Sequence, residues 1–251
     1  MKLSVDINAD LGEGAGHDEE LFALISSANI ATGFHAGEPR SIFESIRAAK
    51  GKSVAVGAHP SFDDRENFGR KDIKVPIQEL FTQLVYQIGA FYSLALAAGA
   101  RAKHVKPHGA LYNMAVHDQE MAEAIAHAIL AVDSALILFA PANSAMERAA
   151  QKAKLQVARE IFADRNYLND GWLVPRTRPD ALLRDPNEAA QRVLRMLREG
   201  KVRSVEGRDV EVRGETICVH SDTPGAVEFA RELRSQLEHE GVRIQAPQSL
   251  L

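Results

Sequence analysis

The amino-acid sequence predicts an α/β fold in which seven parallel strands form a closed or nearly closed barrel. Short β-rich runs alternate along the chain with longer stretches in which apolar residues recur every three or four positions. Such alternation is typical of parallel sheets with right-handed crossovers. The length of 251 residues is one that α/β barrels commonly occupy as a single domain. A doubly wound open sheet is the alternative that these patterns leave open.

The individual elements follow from the same patterns. The seven predicted strands cover residues 3–7, 29–34, 53–58, 104–106, 135–140, 155–162 and 216–220. The six predicted helices cover residues 37–50, 76–98, 118–132, 143–152, 187–199 and 224–240. Four helices are followed by a glycine, the residue that most easily adopts the left-handed conformation ending a helix; these are Gly51, Gly99, Gly200 and Gly241.

Two polar stretches interrupt the alternation, at residues 61–75 and 163–184, and residues 202–213 are predicted to form a hairpin around Gly207. The chain contains neither a linker rich in proline, glycine and serine nor a low-complexity segment. We therefore expect a single domain over residues 1–251.

The composition excludes several classes of function. The 30 basic and 34 acidic residues give a net charge of −4, which argues against a nucleic-acid-binding surface. Cys218 is the only cysteine, so an internal disulfide and cysteine-rich metal sites are excluded. Uninterrupted apolar runs end well before the ~18 residues of a membrane span. The acidic start of the chain is unlike a signal peptide. We expect a cytoplasmic protein that binds neither nucleic acid nor membranes.

Titratable side chains follow six of the seven predicted strands. Since the carboxyl ends of parallel strands meet at one edge, where the sites of such folds are built, these residues are expected to converge. One polar residue after a strand would merely begin a loop, but the coincidence over six strands predicts a functional cluster. The cluster comprises Asn8, Asp10, Glu13, His35, His59, Lys106, His108, Glu160, Asp164, Arg165, His220 and Asp222.

These side chains allow two kinds of chemistry. Asp10, His35 and His59 could hold a divalent metal that activates water, or carboxylates and histidines could act directly as general acids and bases. Ligand spacing does not decide, because the residues come from different strands. Lys106 and Arg165 would supply positive charge for a carboxylate substrate or a phosphoryl intermediate, or would form structural ion pairs.

Six blocks of sequence, in order, resemble the signature motifs of the LamB/YcsF family, the A subunits of bacterial 5-oxoprolinase. The blocks are VDINADLGEG, NIATGFHAGE, VGAHPSFDDRENFGR, VKPHGALYN, EIFADRNY and ICVHSDTPGAV. The resemblance implies a distorted, seven-stranded, TIM-like β/α barrel similar to those of glycoside hydrolases and deacetylases. It also implies ATP-dependent opening of 5-oxoproline to glutamate, with Mg²⁺ accompanying ATP and with separate B and C subunits as partners.

Two positions depart from the family pattern. Thr32 stands where the family usually has cysteine, which argues against a catalytic thiol at that position. Ser221 replaces a glycine of the last block and adds a side chain between His220 and Asp222. Neither departure changes a titratable position.

The implied reaction suggests a role for each residue. Asp10 or Glu13 would act as the base. Acid, base or electrophilic roles are assigned to His35, His59 and His108, and Lys106 would bind an anion. Arg165 and Arg178 are candidates for the substrate carboxylate. The predicted substrate-binding set also includes Asn8, Glu160, Asp164, His220 and Asp222.

The sequence has no recognisable ATP-binding loop, because the glycines of residues 12–16 lack the G-x-G-x-x-G register. ATP would therefore bind at the barrel mouth by another arrangement, or partner subunits would contribute to its site. Two other functions stay open: an amide hydrolase or deacetylase that uses a metal without ATP, and a non-catalytic subunit that binds a small acid. A homo-oligomer is also compatible with the sequence.

Overall fold

The computed structural model describes residues 3–219 and 225–248, and its central feature is a parallel barrel. The strands are β1 (Ser4–Leu11), β2 (Ser27–Ala31), β3 (Ala55–His59), β4 (Ala102–Val105), β5 (Ile137–Pro141), β6 (Val157–Phe162), β7 (Lys201–Arg203), β8 (Asp209–Glu211), β9 (Thr216–Val219) and β10 (Arg243–Ile244). Strands β1 to β6 pair in chain order, and β9 pairs with both β6 and β1. The predicted seven-stranded β/α barrel is confirmed, and the open-sheet alternative is wrong.

Helices surround the barrel. They are α1 (Asp18–Phe22), α2 (Pro39–Gly51), α3 (Ile77–Ala97), α4 (Gly109–Ala115), α5 (Gln119–Val132), α6 (Ala145–Lys152), α7 (Pro186–Glu199) and α8 (Ala226–His239). The sequence did not predict α1 and α4, because they are too short to show helical periodicity. The prediction that α2 ends before Gly51 is also wrong. Gly51 is the last residue of this helix, and Ser53 is the residue that adopts a positive φ, of 60°.

Strand β1 is longer than predicted, and the extension positions the site. Its apolar side chains Ile7 and Leu11 are buried in the hydrophobic core. The alternate residues Asp6, Asn8 and Asp10 form hydrogen bonds to side chains of other barrel strands. The inward face of β1 is therefore polar, and this polarity made its second half look like a loop in the sequence.

The smaller strands lie outside the barrel. Strands β7 and β8 pair antiparallel, which confirms the hairpin predicted around Gly207. Strand β10 is only two residues long and was not predicted; it pairs with the first two residues of β1. The carboxyl end of the predicted seventh strand, including His220, lies outside the described residues.

Helix α3 is long and apolar enough to cross a membrane by length and composition. The count of uninterrupted apolar residues did not identify it, because uncharged glutamines such as Gln83 and Gln87 interrupt its apolar stretch. One of its faces, with Leu84, Ile88 and Phe91, is buried in the core that joins the helices to the barrel. Length and composition are a weak criterion here, since an outer helix of a barrel also meets it.

Candidate functional site at the carboxyl ends of the barrel strands

A cavity of about 500 Å³ opens at the carboxyl ends of the barrel strands. This volume lies in the range of small-molecule sites, ~300–1,000 Å³. Its wall includes predicted site residues from β1, β4 and β6 and from the segments that follow them; these are Asp10, Glu13, Lys106, His108, Glu160 and Arg165. The structure thus brings together residues that lie up to 155 positions apart in the sequence, from Asp10 to Arg165.

One side of the cavity is organised around Lys106, whose side chain is 4% exposed. Its Nζ lies 2.8 Å from Oε1 of Glu160 and 3.1 Å from Oδ1 of Asp10. It also lies 3.1 Å from Sγ of Cys218. Burial lowers the pKa of Lys106, but the nearby negative charges, led by Asp10, outweigh burial and hold the pKa well above its usual value. The ammonium group is therefore a fixed positive charge in the cavity wall.

Glu160 joins further donors to this lysine. Its Oε1 accepts a hydrogen bond of 3.0 Å from Nδ2 of Asn8, and its Oε2 accepts one of 2.6 Å from the hydroxyl of Tyr112. Burial and the charge of Glu160 raise the pKa of Tyr112 well above its usual value, so its hydroxyl keeps its proton. We call Asn8, Asp10, Lys106, Tyr112 and Glu160 the ammonium cluster. Tyr112 was missed by the sequence analysis, because it lies on the unpredicted helix α4.

A buried layer supports the ammonium cluster from below. Asn29 donates hydrogen bonds of 2.7 Å to Asn8 and 2.8 Å to Asp10. Its side-chain oxygen is bonded in turn to Nε2 of His104, at 2.8 Å. Burial lowers the pKa of His104 to about 3, so this ring is neutral and stacks on Phe139 at 4.2 Å between centroids. The carboxylate of Asp10 is therefore held in place from two sides.

Gly57 makes room for this layer. A Cβ atom at position 57 would lie 2.2 Å from the ring of His104, closer than any side chain tolerates. The pairing of β3 with β4 also shifts register at this glycine. A glycine within a predicted strand was the one sequence signal that pointed to this close approach.

On the other side, Glu13 and His108 line the cavity and His35 and His59 lie buried behind them; we call these four residues the imidazole cluster. One potential ligand atom from each residue lies within 4.8 Å of the other three, so this group could hold a metal ion. The sequence analysis had proposed Asp10, His35 and His59 as metal candidates. The group contains Glu13 and His108 beside His35 and His59 and does not contain Asp10, whose Oδ1 is bonded to Lys106 and Asn29 and whose Oδ2 lies 3.4 Å from Nε2 of His59.

The imidazole cluster is buried and its ionisation states are shifted. Burial raises the pKa of Glu13, but its close contacts with His108 and His35 outweigh burial and bring it to about 2. Burial lowers the pKa of His35 to about 4. Burial also lowers the pKa of His59, but the neighbouring charge of Asp10 outweighs it, and the net shift is upward. Glu13 is thus a carboxylate and His35 a neutral imidazole at pH 7.

The predicted polar loop after β3 closes over this cluster. Phe68 and Gly69 both have positive φ, of 56° and 63°. A Cβ at position 69 would come within 2.9 Å of His108 and 3.0 Å of His35. A glycine here lets the loop backbone approach both rings, and the carbonyl of Phe68 accepts a hydrogen bond from Nε2 of His108 at 2.8 Å.

The remaining predicted residues have different positions. Asp164 and Arg165 are buried, and Arg165 lines the cavity. Arg178 is exposed and is paired with Asp180 at 2.6 Å, and it is not among the residues that line the cavity. The sequence could not distinguish it from Arg176, which does line the cavity. His220 and Asp222 lie outside the described residues.

A closed parallel barrel with a buried cation, carboxylates and imidazoles at its mouth defines the class of this protein as a β/α barrel with a polar site at the carboxyl ends of its strands. Its particular family follows from comparison with known sequences. The model of the LamB/YcsF family matches residues 5–251, and the chain belongs to this family.

Solved structures agree with this assignment. A lactam utilization protein from Thermus thermophilus shares 47% sequence identity with the chain, covering 98% of this chain and 100% of that one, at a TM-score of 0.93. A putative cellobiose-phosphate cleavage protein from Enterococcus faecalis is 12% identical over 97% of each chain, at a TM-score of 0.58. A peptidoglycan deacetylase from Bacillus subtilis is 12% identical over 97% of this chain and 87% of that one, at 0.50. The last two show the fold alone.

Proposed function

We propose that this protein is the A subunit of an ATP-dependent 5-oxoprolinase, which opens the lactam of 5-oxo-L-proline to give L-glutamate. The observation that carries the proposal is the match to the LamB/YcsF family over nearly the whole chain, together with 47% identity to a lactam utilization protein. The cavity supports the proposal, because it is large enough for a small cyclic amide and offers both fixed charge and proton-exchanging groups.

The chemistry of a lactam explains the need for ATP. An amide carbonyl is a weak electrophile, and transfer of the γ-phosphoryl group of ATP to the lactam oxygen would activate C5. One water then adds to C5, the C5–N bond breaks, and the nitrogen takes up a proton. This gives γ-glutamyl phosphate, and a second water releases phosphate and glutamate. Each step creates or moves negative charge on oxygen, which a preorganised cation stabilises.

Lys106 is the residue best placed for that charge. Its ammonium is buried, lies on the cavity wall and is already held by Asp10 and Glu160. Since these contacts fix its position before substrate binds, little reorganisation is needed when charge develops. We therefore propose that the ammonium group of Lys106 binds the lactam oxygen and stabilises the negative charge of its phosphorylated form.

The carboxylates and imidazoles of the site are the groups that could activate water as a base. The low pKa of Glu13, about 2, makes it a weak base at neutral pH. Asp10 is the member of the ammonium cluster that faces the imidazole cluster, with Oδ2 3.4 Å from Nε2 of His59 and Oδ1 3.1 Å from Nζ of Lys106. Its side chain is 17% exposed, which makes it the carboxylate best placed to contact a water molecule in the cavity.

The substrate carboxylate requires a separate cation. Arg165 lines the cavity, and its Nη2 donates to the carbonyl of Val174 at 2.7 Å. Its buried Nε has no hydrogen-bond partner among the described residues, so the guanidinium retains donor capacity. We assign the substrate carboxylate to Arg165, with Arg176 nearby on the same wall.

ATP, its Mg²⁺ and the B and C subunits belong to the proposal through the family. The decisive experiment is reconstitution with the B and C proteins, in which glutamate and ADP formed from 5-oxoproline and ATP are measured with and without this chain. We expect equal amounts of the two products and no turnover without this chain. Turnover that does not need this chain would contradict the assignment.

The same assay separates the two alternatives. Amide cleavage by this chain without ATP would identify a hydrolase or deacetylase of the ATP-independent kind. A non-catalytic binding subunit would retain reconstituted turnover when Lys106 is replaced by methionine and would show only weaker substrate binding. We expect neither result.

A further inference from the structure

The positions of the protons in the imidazole cluster can be deduced from its contacts. Nδ1 of His59 lies 2.6 Å from the carbonyl oxygen of Lys106, and Nε2 of His108 lies 2.8 Å from that of Phe68. A carbonyl oxygen only accepts hydrogen bonds, so each of these two nitrogens carries a proton. A neutral imidazole has one proton, and the opposite nitrogens, Nε2 of His59 and Nδ1 of His108, therefore present lone pairs.

These two lone pairs face each other. The nitrogens are 3.1 Å apart, a distance at which a hydrogen bond would need a proton that neither neutral ring can supply. Oε1 of Glu13 lies 3.3 Å from Nδ1 of His108 and 3.7 Å from Nε2 of His59. Three electron-pair donors thus converge in a buried place, which is unfavourable unless a positive species lies among them.

We infer that Glu13, His59 and His108 bind a divalent first-row transition-metal ion, for which Zn²⁺ is the reference. The three donor separations of 3.1, 3.3 and 3.7 Å bracket the ~3.3 Å expected between ligands of a tetrahedral ion with bonds of ~2.0–2.1 Å. Two imidazoles and one carboxylate are a donor set typical of zinc and of non-haem iron(II).

His35 has a different part in this site. Its ring is stacked on that of His108, with an angle of 4° between the planes and 3.8 Å between the centroids, so one ion cannot lie in the planes of both rings. Its Nε2 lies 2.8 Å from Oε1 of Glu13. His35 is therefore a positioning residue that orients the carboxylate of Glu13. The carbonyls bonded to His59 and His108 orient the two imidazoles in the same way.

The proposed site opens toward the cavity. Glu13 and His108 both line the cavity wall, so a further coordination position is accessible to a water molecule or to a substrate oxygen. Sites with an open position are of the catalytic kind, in which the ion acts as a Lewis acid. The inference concerns coordination alone and stands whether or not the protein opens 5-oxoproline.

The test measures metal binding and not activity. The full-length protein is treated with a chelator, dialysed and titrated with Zn²⁺ by calorimetry; the Co²⁺ form is examined by visible absorption, which reports the coordination geometry. We expect one ion per chain. His59→Ala and His108→Ala are expected to lower the affinity by about 100-fold or more, and His35→Ala by about 10-fold. His117→Ala, on the same cavity wall but outside the cluster, is the matched control and should bind as the unaltered protein does.

The competing occupant is a proton on His59, which would also separate the lone pairs. If a proton fills the cluster, the unaltered protein at pH 7.5 will show no saturable binding of Zn²⁺ and no absorption of coordinated Co²⁺, and the inference is wrong. The triple variant Glu13→Gln, His59→Ala, His108→Ala serves only as a background measurement. Because the Co²⁺ spectrum of the unaltered protein is sufficient for this decision, the test does not depend on the folding of the variants. A protein that binds neither ion in this titration but still converts 5-oxoproline with ATP would overturn this inference and leave the proposed function intact.

Discussion

The ammonium cluster and the imidazole cluster share one cavity but differ in how their charges are balanced. In the ammonium cluster, Lys106 is paired with two carboxylates, and the contacts among the cluster residues are short. In the imidazole cluster, Nε2 of His59 and Nδ1 of His108 lie 3.1 Å apart, and the inferred proton positions leave a lone pair on each nitrogen. The charges of the first region are balanced within the chain, whereas the second region, on that inference, requires an added cation. From this contrast we infer that the ammonium cluster shapes the cavity and that the imidazole cluster binds a cation from solution.

The largest expected effect comes from removing the lysine charge. Lys106→Met leaves Asp10 and Glu160 buried without a cation, and loss of one partner of a buried ion pair costs about 3–5 kcal/mol of unfolding free energy. Denaturant unfolding measures this loss, and reconstituted turnover should disappear. Lys103→Met, an exposed lysine earlier on β4, is the matched control and should change neither quantity. Retention of full stability in Lys106→Met would show that the two carboxylates are not balanced by this lysine.

The second effect is a pH dependence from Asp6, which shares the hydroxyl of Thr216 with Asn8 of the ammonium cluster. Burial raises the pKa of Asp6 from 3.8 to about 6, against the hydrogen bonds from Ser26 and Thr216. A folded-state pKa above the unfolded value means that the contribution of Asp6 to stability is complete below pH ~4 and is lost as the pH rises to about 6. Relative to Asp6→Asn, the unaltered protein should lose about 3 kcal/mol of unfolding free energy between pH 4 and pH 7. The prediction would be wrong if the unfolding free energies of the two proteins changed with pH in parallel.

The third prediction concerns the room made for His104. Gly57→Ala places a methyl group on the ring of His104 and should destabilise the fold by about 1–3 kcal/mol, as overpacking of a core does. Thermal unfolding checks the change. Gly89→Ala is the matched control, because a Cβ at position 89 of α3 meets no atom within 4 Å. A helical glycine-to-alanine change should stabilise the protein by about 0.5–1 kcal/mol.

The smallest expected effect separates two arginines that the sequence analysis treated alike. Arg165→Gln should raise KM for 5-oxoproline by about 10-fold, corresponding to about 1.4 kcal/mol, with a smaller change in kcat. Arg178→Gln should leave both unchanged, because this exposed side chain is paired with Asp180 away from the cavity wall. Equal effects of the two substitutions on KM would show that Arg165 does not bind the substrate carboxylate.

The sequence predicted the barrel and six of the residues that line the cavity, because parallel strands deliver their carboxyl ends to one edge and polar residues there are conspicuous. It could not predict that Asn8 and Asp10 lie within β1, since an inward polar face resembles a loop when the partner strands are unknown. It also missed Asn29, His104 and Tyr112. These residues are ordinary in sequence and acquire their roles only from contacts between distant strands.

Pairing of β1 with β9 has a consequence for how the molecule is made. The first barrel strand has no neighbour on one side until Thr216 and the residues after it have been synthesised, and β10 then pairs with its opening residues. Because Asn8 and Asp10 lie on this strand, the cavity cannot take its final shape on a nascent chain that has yet to emerge past β9. The final shape of the cavity therefore requires the chain through β9, and a ribosome-stalled fragment that ends before residue 216 would leave the edge of β1 free to pair with another chain.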